Sequence, residues 1–165
     1  CALRVSSAGQ RTASSTQSVF SVAACIASLC FSFQLHHQGF VHDLDQHCYK
    51  PVEWFPAGNI MAQPRVLMLQ ELNRTMARMV AALHHIKKQQ ETLNKPDAKL
   101  LGELQSASGA VRGMLSNIHC ALCLLGTVTS PTADIPERPP IMRAFQHKIE
   151  GCKVLWNYKV IVTAF

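Results

Sequence analysis

Cysteines and histidines are the side chains in this sequence best suited to chemistry, and there are seven of the first and eight of the second. The cysteines stand at positions 1, 25, 30, 48, 120, 123 and 152. Only Cys120-x-x-Cys123 has the short spacing of a metal-ligand pair, and a four-ligand zinc site normally takes two such pairs. Long-range disulfides in a secreted protein are the more economical reading, and an odd number leaves at least one cysteine over. The histidines include two adjacent pairs, His36-His37 and His84-His85. Neighbours on a helix point about 100° apart, whereas helical metal sites place ligands at i and i+3 or i+4 with carboxylates close by. Solvated histidines are therefore expected. No GxSxG, P-loop, HExxH or GxGxxG motif occurs. The ten acidic residues are spread too thinly for a carboxylate pair to do acid–base work. Neither an enzyme nor a bound cofactor or metal is expected, and a bundle with a metal in its core stands only as a distant alternative.

What must position these side chains is bounded by size and composition. A chain of 165 residues suits one domain, which at this size buries roughly 70% of the surface of its unfolded chain. Hydrophobic residues make up 48% and charged residues 16%, so a disordered chain is excluded. The formal charge of +6 permits nucleic acid, an anionic membrane or an acidic partner surface, and selects none of them. No block of five like charges occurs, so a nucleic-acid tail, and with it a nucleic-acid partner, is not expected. The sequon Asn73-Arg74-Thr75 agrees with a secretory route and marks Asn73 as a glycan acceptor. Residues 19–33 are uncharged and largely apolar, yet shorter than the ~20 residues of a spanning helix. A polar stretch from Ser6 to Ser18 precedes them, unlike a signal peptide. A buried helix is expected there, with a membrane-associated segment as the alternative. The chain reads as a processed form beginning at Cys1.

Helical periodicity is clearest in the middle. Leu101, Leu104, Ser108, Val111, Leu115, Ile118 and Leu122 form one stripe, and Leu69, Leu72, Met76, Met79, Leu83 and Ile86 a second. Pro64 suits the start of the earlier helix, Asn94-Lys95-Pro96 stops it, and Pro96-Asp97 opens the next. After Pro139-Pro140 a further helix carries Met142, Phe145, Ile149, Cys152 and Trp156 on one face. With a first helix through Val22, Ile26, Leu29 and Phe33, the expected helices run at roughly 10–35, 63–93, 97–124 and 140–163. The connections between them are long, short, long. A short link makes antiparallel neighbours and a long one can cross the bundle, so the expected fold is all-α. It is an up-up-down-down four-helix bundle with two long crossover loops, one domain spanning residues 1–165.

Residues 111–123 read VRGMLSNIHCALC. Arg112-Gly113-Met114-Leu115-Ser116-Asn117 and the following Cys120-x-x-Cys123 resemble the third helix of the interleukin-6 family of cytokines, in its leukemia inhibitory factor branch. Phe145-Gln146-His147-Lys148, Gly151-Cys152, Asn157-Tyr158-Lys159 and Thr163-Ala164-Phe165 continue the resemblance, as do Cys1-Ala2-Leu3-Arg4, Leu44-Asp45-x-x-Cys48 and Phe55-Pro56 upstream. The resemblance implies a secreted cytokine, monomeric and not inserted in a membrane. It would bridge the leukemia inhibitory factor receptor and glycoprotein 130 to trigger Janus kinase–STAT signalling. Oncostatin M and other relatives are the nearest alternatives. The family's contact for the leukemia inhibitory factor receptor is carried over to Phe145 and Lys148, and that for glycoprotein 130 to Gly113, Ser116 and Asn117. Disulfides Cys48–Cys152 and Cys1–Cys123 are implied as well. The chain departs from the family in having Ser7 near the place of a second N-terminal cysteine, and in the extra Cys25 and Cys30.

Overall fold

The computed structural model describes residues 47–127 and 144–164. They form three α-helices, α1 (Arg65–Leu93), α2 (Lys99–Leu124) and α3 (Ala144–Thr163), with a 3-10 turn at Ile60–Ala62 and no strand among the described residues. The expected helix at 10–35, the apolar run at 19–33 and Cys1 lie outside them.

Local chemistry sets the ends of each helix. Pro64 precedes α1 with φ −53°, close to the value its ring imposes, and its carbonyl accepts the Met68 N–H at 2.9 Å. At the far end the Asn94 N–H donates to the Gln90 carbonyl, and Asn94 Nδ2 donates to the Gln90 carbonyl and to its Oε1, each at 2.9 Å. Pro96 then prevents continuation. Helix α2 begins at Lys99 behind Ala98, which offers no side-chain cap, so Asp97 lies in the turn rather than opening the helix. It stops in a closed left-handed turn. Gly126, at φ +70°, donates to the Cys123 carbonyl, and Thr127 N–H donates to Leu122, both at 3.0 Å. Glycine takes that backbone conformation without the Cβ clash other residues meet.

The core lies between the three helices. Leu72, Met76, Met79, Leu83 and Ile86 of α1 meet Leu100, Leu104, Ala107, Val111, Met114, Ile118 and Leu122 of α2. Met114 rather than Leu115 completes the stripe of α2, because Leu115 sits at the edge and is only partly covered. Helix α3 contributes Val154, Leu155, Tyr158, Ile161 and Val162. Of the expected apolar face, Cys152 is fully buried in the core and Ile149 and Trp156 pack against it, whereas Phe145 is 57% exposed.

The second half of the first crossover covers much of that face. Cys48 is disulfide-bonded to Cys152, with Cα atoms 5.2 Å apart. The Tyr49 ring lies 4.6 Å from that of Trp156, and Asn157 Nδ2 donates to the Lys50 carbonyl at 3.0 Å. Further along, Val52, Trp54 and Phe55 pack against the core, and the Trp54 carbonyl accepts from Arg78 of α1 at 3.5 Å.

Helix directions follow from these contacts. The short link makes α1 and α2 antiparallel. Gln89, near the end of α1, donates to Glu150, near the start of α3, at 3.5 Å. Through the crossover, Arg78 of α1 lies abreast of the region beyond Asn157 of α3, so α3 also opposes α1. Helices α2 and α3 therefore start at the same end and run parallel. Parallel second and third described helices agree with the later part of an up-up-down-down order.

Asn73, the expected glycan acceptor, is 1% exposed, its side chain following Leu72 into the interior. Cys120 and Cys123 lie half-buried one turn apart on α2; the expected bridge from Cys123 to Cys1 involves a residue outside those described.

Candidate functional site

Phe145 is the second residue of α3 and is 57% exposed. Its ring faces His47 edge-on, with centroids 6.3 Å apart and planes at 79°. That geometry falls in the favourable range for aromatic pairs. Lys148 stands three residues on, about one turn along the helix, and is half-buried. Both lie at the start of α3, which meets the end of α1 through Glu150 and Gln89.

The second group lies on α2. Gly113, Ser116 and Asn117 are all exposed, on the side of the helix opposite Val111, Met114 and Ile118. A Cβ built at Gly113 meets nothing within 4 Å, so the backbone itself is open to an approaching surface. Sequence reasoning stopped short of its extent, since Gly102, Ser106 and Gly109 are exposed on the same side. Gly113 lies about 21 Å along the axis from Lys99 at 1.5 Å per residue. Gly113, Ser116 and Asn117 are therefore separate in height from the Phe145 end and on a different helix.

The structure brings Phe145 and Lys148 together, and likewise Gly113, Ser116 and Asn117, but does not join the two groups. It adds His47, which sequence reasoning missed. A signal was available: His47 precedes Cys48, and pairing Cys48 with Cys152 draws its neighbour toward the turns before Cys152.

Other chemistry is sparse among the described residues. His84 and His85 are exposed, and no three His, Cys, Asp or Glu side chains lie close enough to share a metal ion. No helix among them is long and apolar enough to cross a membrane. One polar seam is buried: Gln89 Nε2 lies 2.8 Å from His85 Nε2 and donates to Glu150 Oε2, tying α1 to α3. Surface ion pairs Arg74–Glu71 and Lys87–Glu91 each lie within a single helix, where such pairs add only tenths of a kcal/mol.

The family model described as LIF / OSM family matches residues 26–165. The chain belongs to that family, a family of cytokines of the interleukin-6 type.

Proposed function

We propose that the protein is a secreted, monomeric cytokine, folded as one domain. It bridges the leukemia inhibitory factor receptor and glycoprotein 130 and so starts Janus kinase–STAT signalling that regulates growth and differentiation. Phe145 and Lys148 meet the first receptor; Gly113, Ser116 and Asn117 meet the second. The observation that carries the reading is the exposure of Phe145, 57% at the start of α3. An aromatic ring that a folded helix leaves largely exposed offers a partner an apolar anchor, and a neighbouring Lys adds a charged contact.

The test is the double variant Phe145→Ala, Lys148→Ala, with melting temperature and binding to both receptor ectodomains measured on the same preparation. Loss of a central aromatic anchor removes about 2 kcal/mol or more, roughly 30-fold in affinity. The variant should fold as the parent does, lose the leukemia inhibitory factor receptor and keep glycoprotein 130. Undiminished binding to the first receptor would overturn the site. Binding of the parent chain to the oncostatin M receptor instead would favour the other branch of the same family.

A further inference from the structure

Four cations that take part in no ion pair stand where the crossover lies over the junction of α1 and α3. One side-chain nitrogen fixes two of them. Asn157 Nδ2 donates to the carbonyl of Lys50 at 3.0 Å and to that of Lys153 at 2.7 Å, so the crossover and α3 each place a lysine at one point. Four residues further along the crossover, the Trp54 carbonyl accepts from Arg78 of α1 at 3.5 Å. Lys88 follows Arg78 by ten residues, about 15 Å along α1, and stands beside the Gln89 that reaches Glu150 of α3. Lys50 and Lys88 are exposed, and Arg78 and Lys153 half-buried. The neighbouring carboxylates are engaged or covered. Glu71 and Glu91 pair with Arg74 and Lys87 within α1, and Glu150 is 7% exposed. Glu53, exposed beside Trp54, is the acidic group at the edge of this row.

We propose that this row, Lys50, Arg78, Lys88 and Lys153, binds a linear sulfated polysaccharide of the heparan sulfate class. The choice of an extracellular polyanion rests on the reading of the chain as secreted. A chain of closely spaced anionic groups carries condensed counterions, and protein cations that replace them release these ions to solution, which drives association. Cations outside any ion pair suit that task, because no internal contact has to open first. A row also favours a linear ligand over a lipid surface. Helices that lie on membranes combine cations with apolar side chains that enter the bilayer. Here the exposed aliphatic side chains Met61, Leu67, Leu124 and Leu125 belong to the other end of the α1–α2 hairpin, away from the seam between Gln89 and Glu150.

The test measures the affinity of the full chain for a size-defined heparin oligosaccharide by calorimetry over a range of salt concentrations. Two double variants that remove equal charge are set beside the parent: Lys50→Ala with Lys153→Ala, and Arg65→Ala with Arg112→Ala. The second pair lies at the start of α1 and midway along α2, outside the row. Four contacts predict parental binding about a hundredfold weaker in 200 mM than in 50 mM salt. Without Lys50 and Lys153 the salt dependence should fall by about half, and affinity about tenfold or more. The Arg65 and Arg112 variant should bind as the parent does, and Glu53→Gln more tightly. Equal losses in the two double variants would overturn the proposal, since net charge rather than the row would then hold the ligand. So would parental affinity without Lys50 and Lys153, undiminished binding of a desulfated oligosaccharide, or tighter binding to phosphatidylserine vesicles than to heparin. Should the alanine pair not fold, glutamine at the same two positions carries the same expectations. Binding to both receptor ectodomains is measured on the same preparations. If the parent binds neither, the proposed function fails, and the oligosaccharide affinities still decide this site.

Discussion

Phe145 and Leu155 sit ten positions apart on one helix and carry side chains of comparable apolarity, yet they face opposite demands. Leu155 is fully buried among the helices, whereas Phe145 is more than half exposed. Truncating Leu155 removes transfer energy and leaves a cavity, so Leu155→Ala should destabilise the fold by about 2–5 kcal/mol. Truncating Phe145 gives up an edge contact at the surface and should cost under about 1 kcal/mol. Equilibrium denaturation of the two variants checks the pair of values. Equal losses would put Phe145 in the core and remove the basis for its receptor role. Asn73 makes the complementary point. It occupies a sequon, but as the immediate neighbour of the core residue Leu72 its side chain is buried, and local sequence alone does not reveal on which side of the stripe's edge it falls.

At the scale of elements, α1 and α2 were legible and α3 only half so. In α1 and α2 the apolar residues recur along one face, and the link of residues 94–98 leaves a single way to fold the hairpin. Helix α3 carries apolar side chains on two faces. One holds Val154, Leu155, Tyr158, Ile161 and Val162; the other holds Phe145, Ile149, Cys152 and Trp156. Both keep helical spacing, so periodicity cannot say which is inside. The choice depends on the crossover, a segment without periodicity that lies on the second face and makes Cys152 and Trp156 partners of Cys48 and Tyr49. The contact of His47 with Phe145 joins residues nearly a hundred positions apart, so only the pairing of Cys48 with Cys152 points to it. The bridge that organises this contact closes a loop of sequence separation 104. By chain entropy it restricts the unfolded state by about 4–5 kcal/mol. Replacing Cys48 and Cys152 together with serine should therefore lower the free energy of unfolding by an amount of that order, read from urea denaturation. A variant with parental stability would show that packing of Tyr49, Val52, Trp54 and Phe55 alone holds this segment.

For the whole molecule the question is whether one small bundle can hold two partners at once without interference. The geometry favours it. Phe145 stands at the end of the bundle where α2 and α3 begin, and Gly113 lies about 21 Å along α2 from that end. Perturbations at sites separated by more than about 10 Å, with no shared neighbours, usually add. Gly113→Arg puts this to a sharp test. The position is exposed and a Cβ there meets nothing within 4 Å, so the larger side chain does not disturb packing. Replacing a mid-helix glycine with arginine should even raise helix stability by up to about 1 kcal/mol. What the arginine changes is the outer surface: a flat strip on which another backbone can lie closely becomes a charged projection. Glycoprotein 130 binding should fall by more than about tenfold, the 1.4 kcal/mol scale of one obstructed contact. Binding to the leukemia inhibitory factor receptor should stay at the parental value. Such a variant would occupy one receptor without recruiting the other, so STAT phosphorylation in responsive cells should drop, and excess variant should inhibit the parent protein. Parental affinity for glycoprotein 130 would remove the strip from the proposed interface. Equal loss of both receptors, at an unchanged melting temperature, would mean that the two surfaces are coupled through the bundle rather than independent.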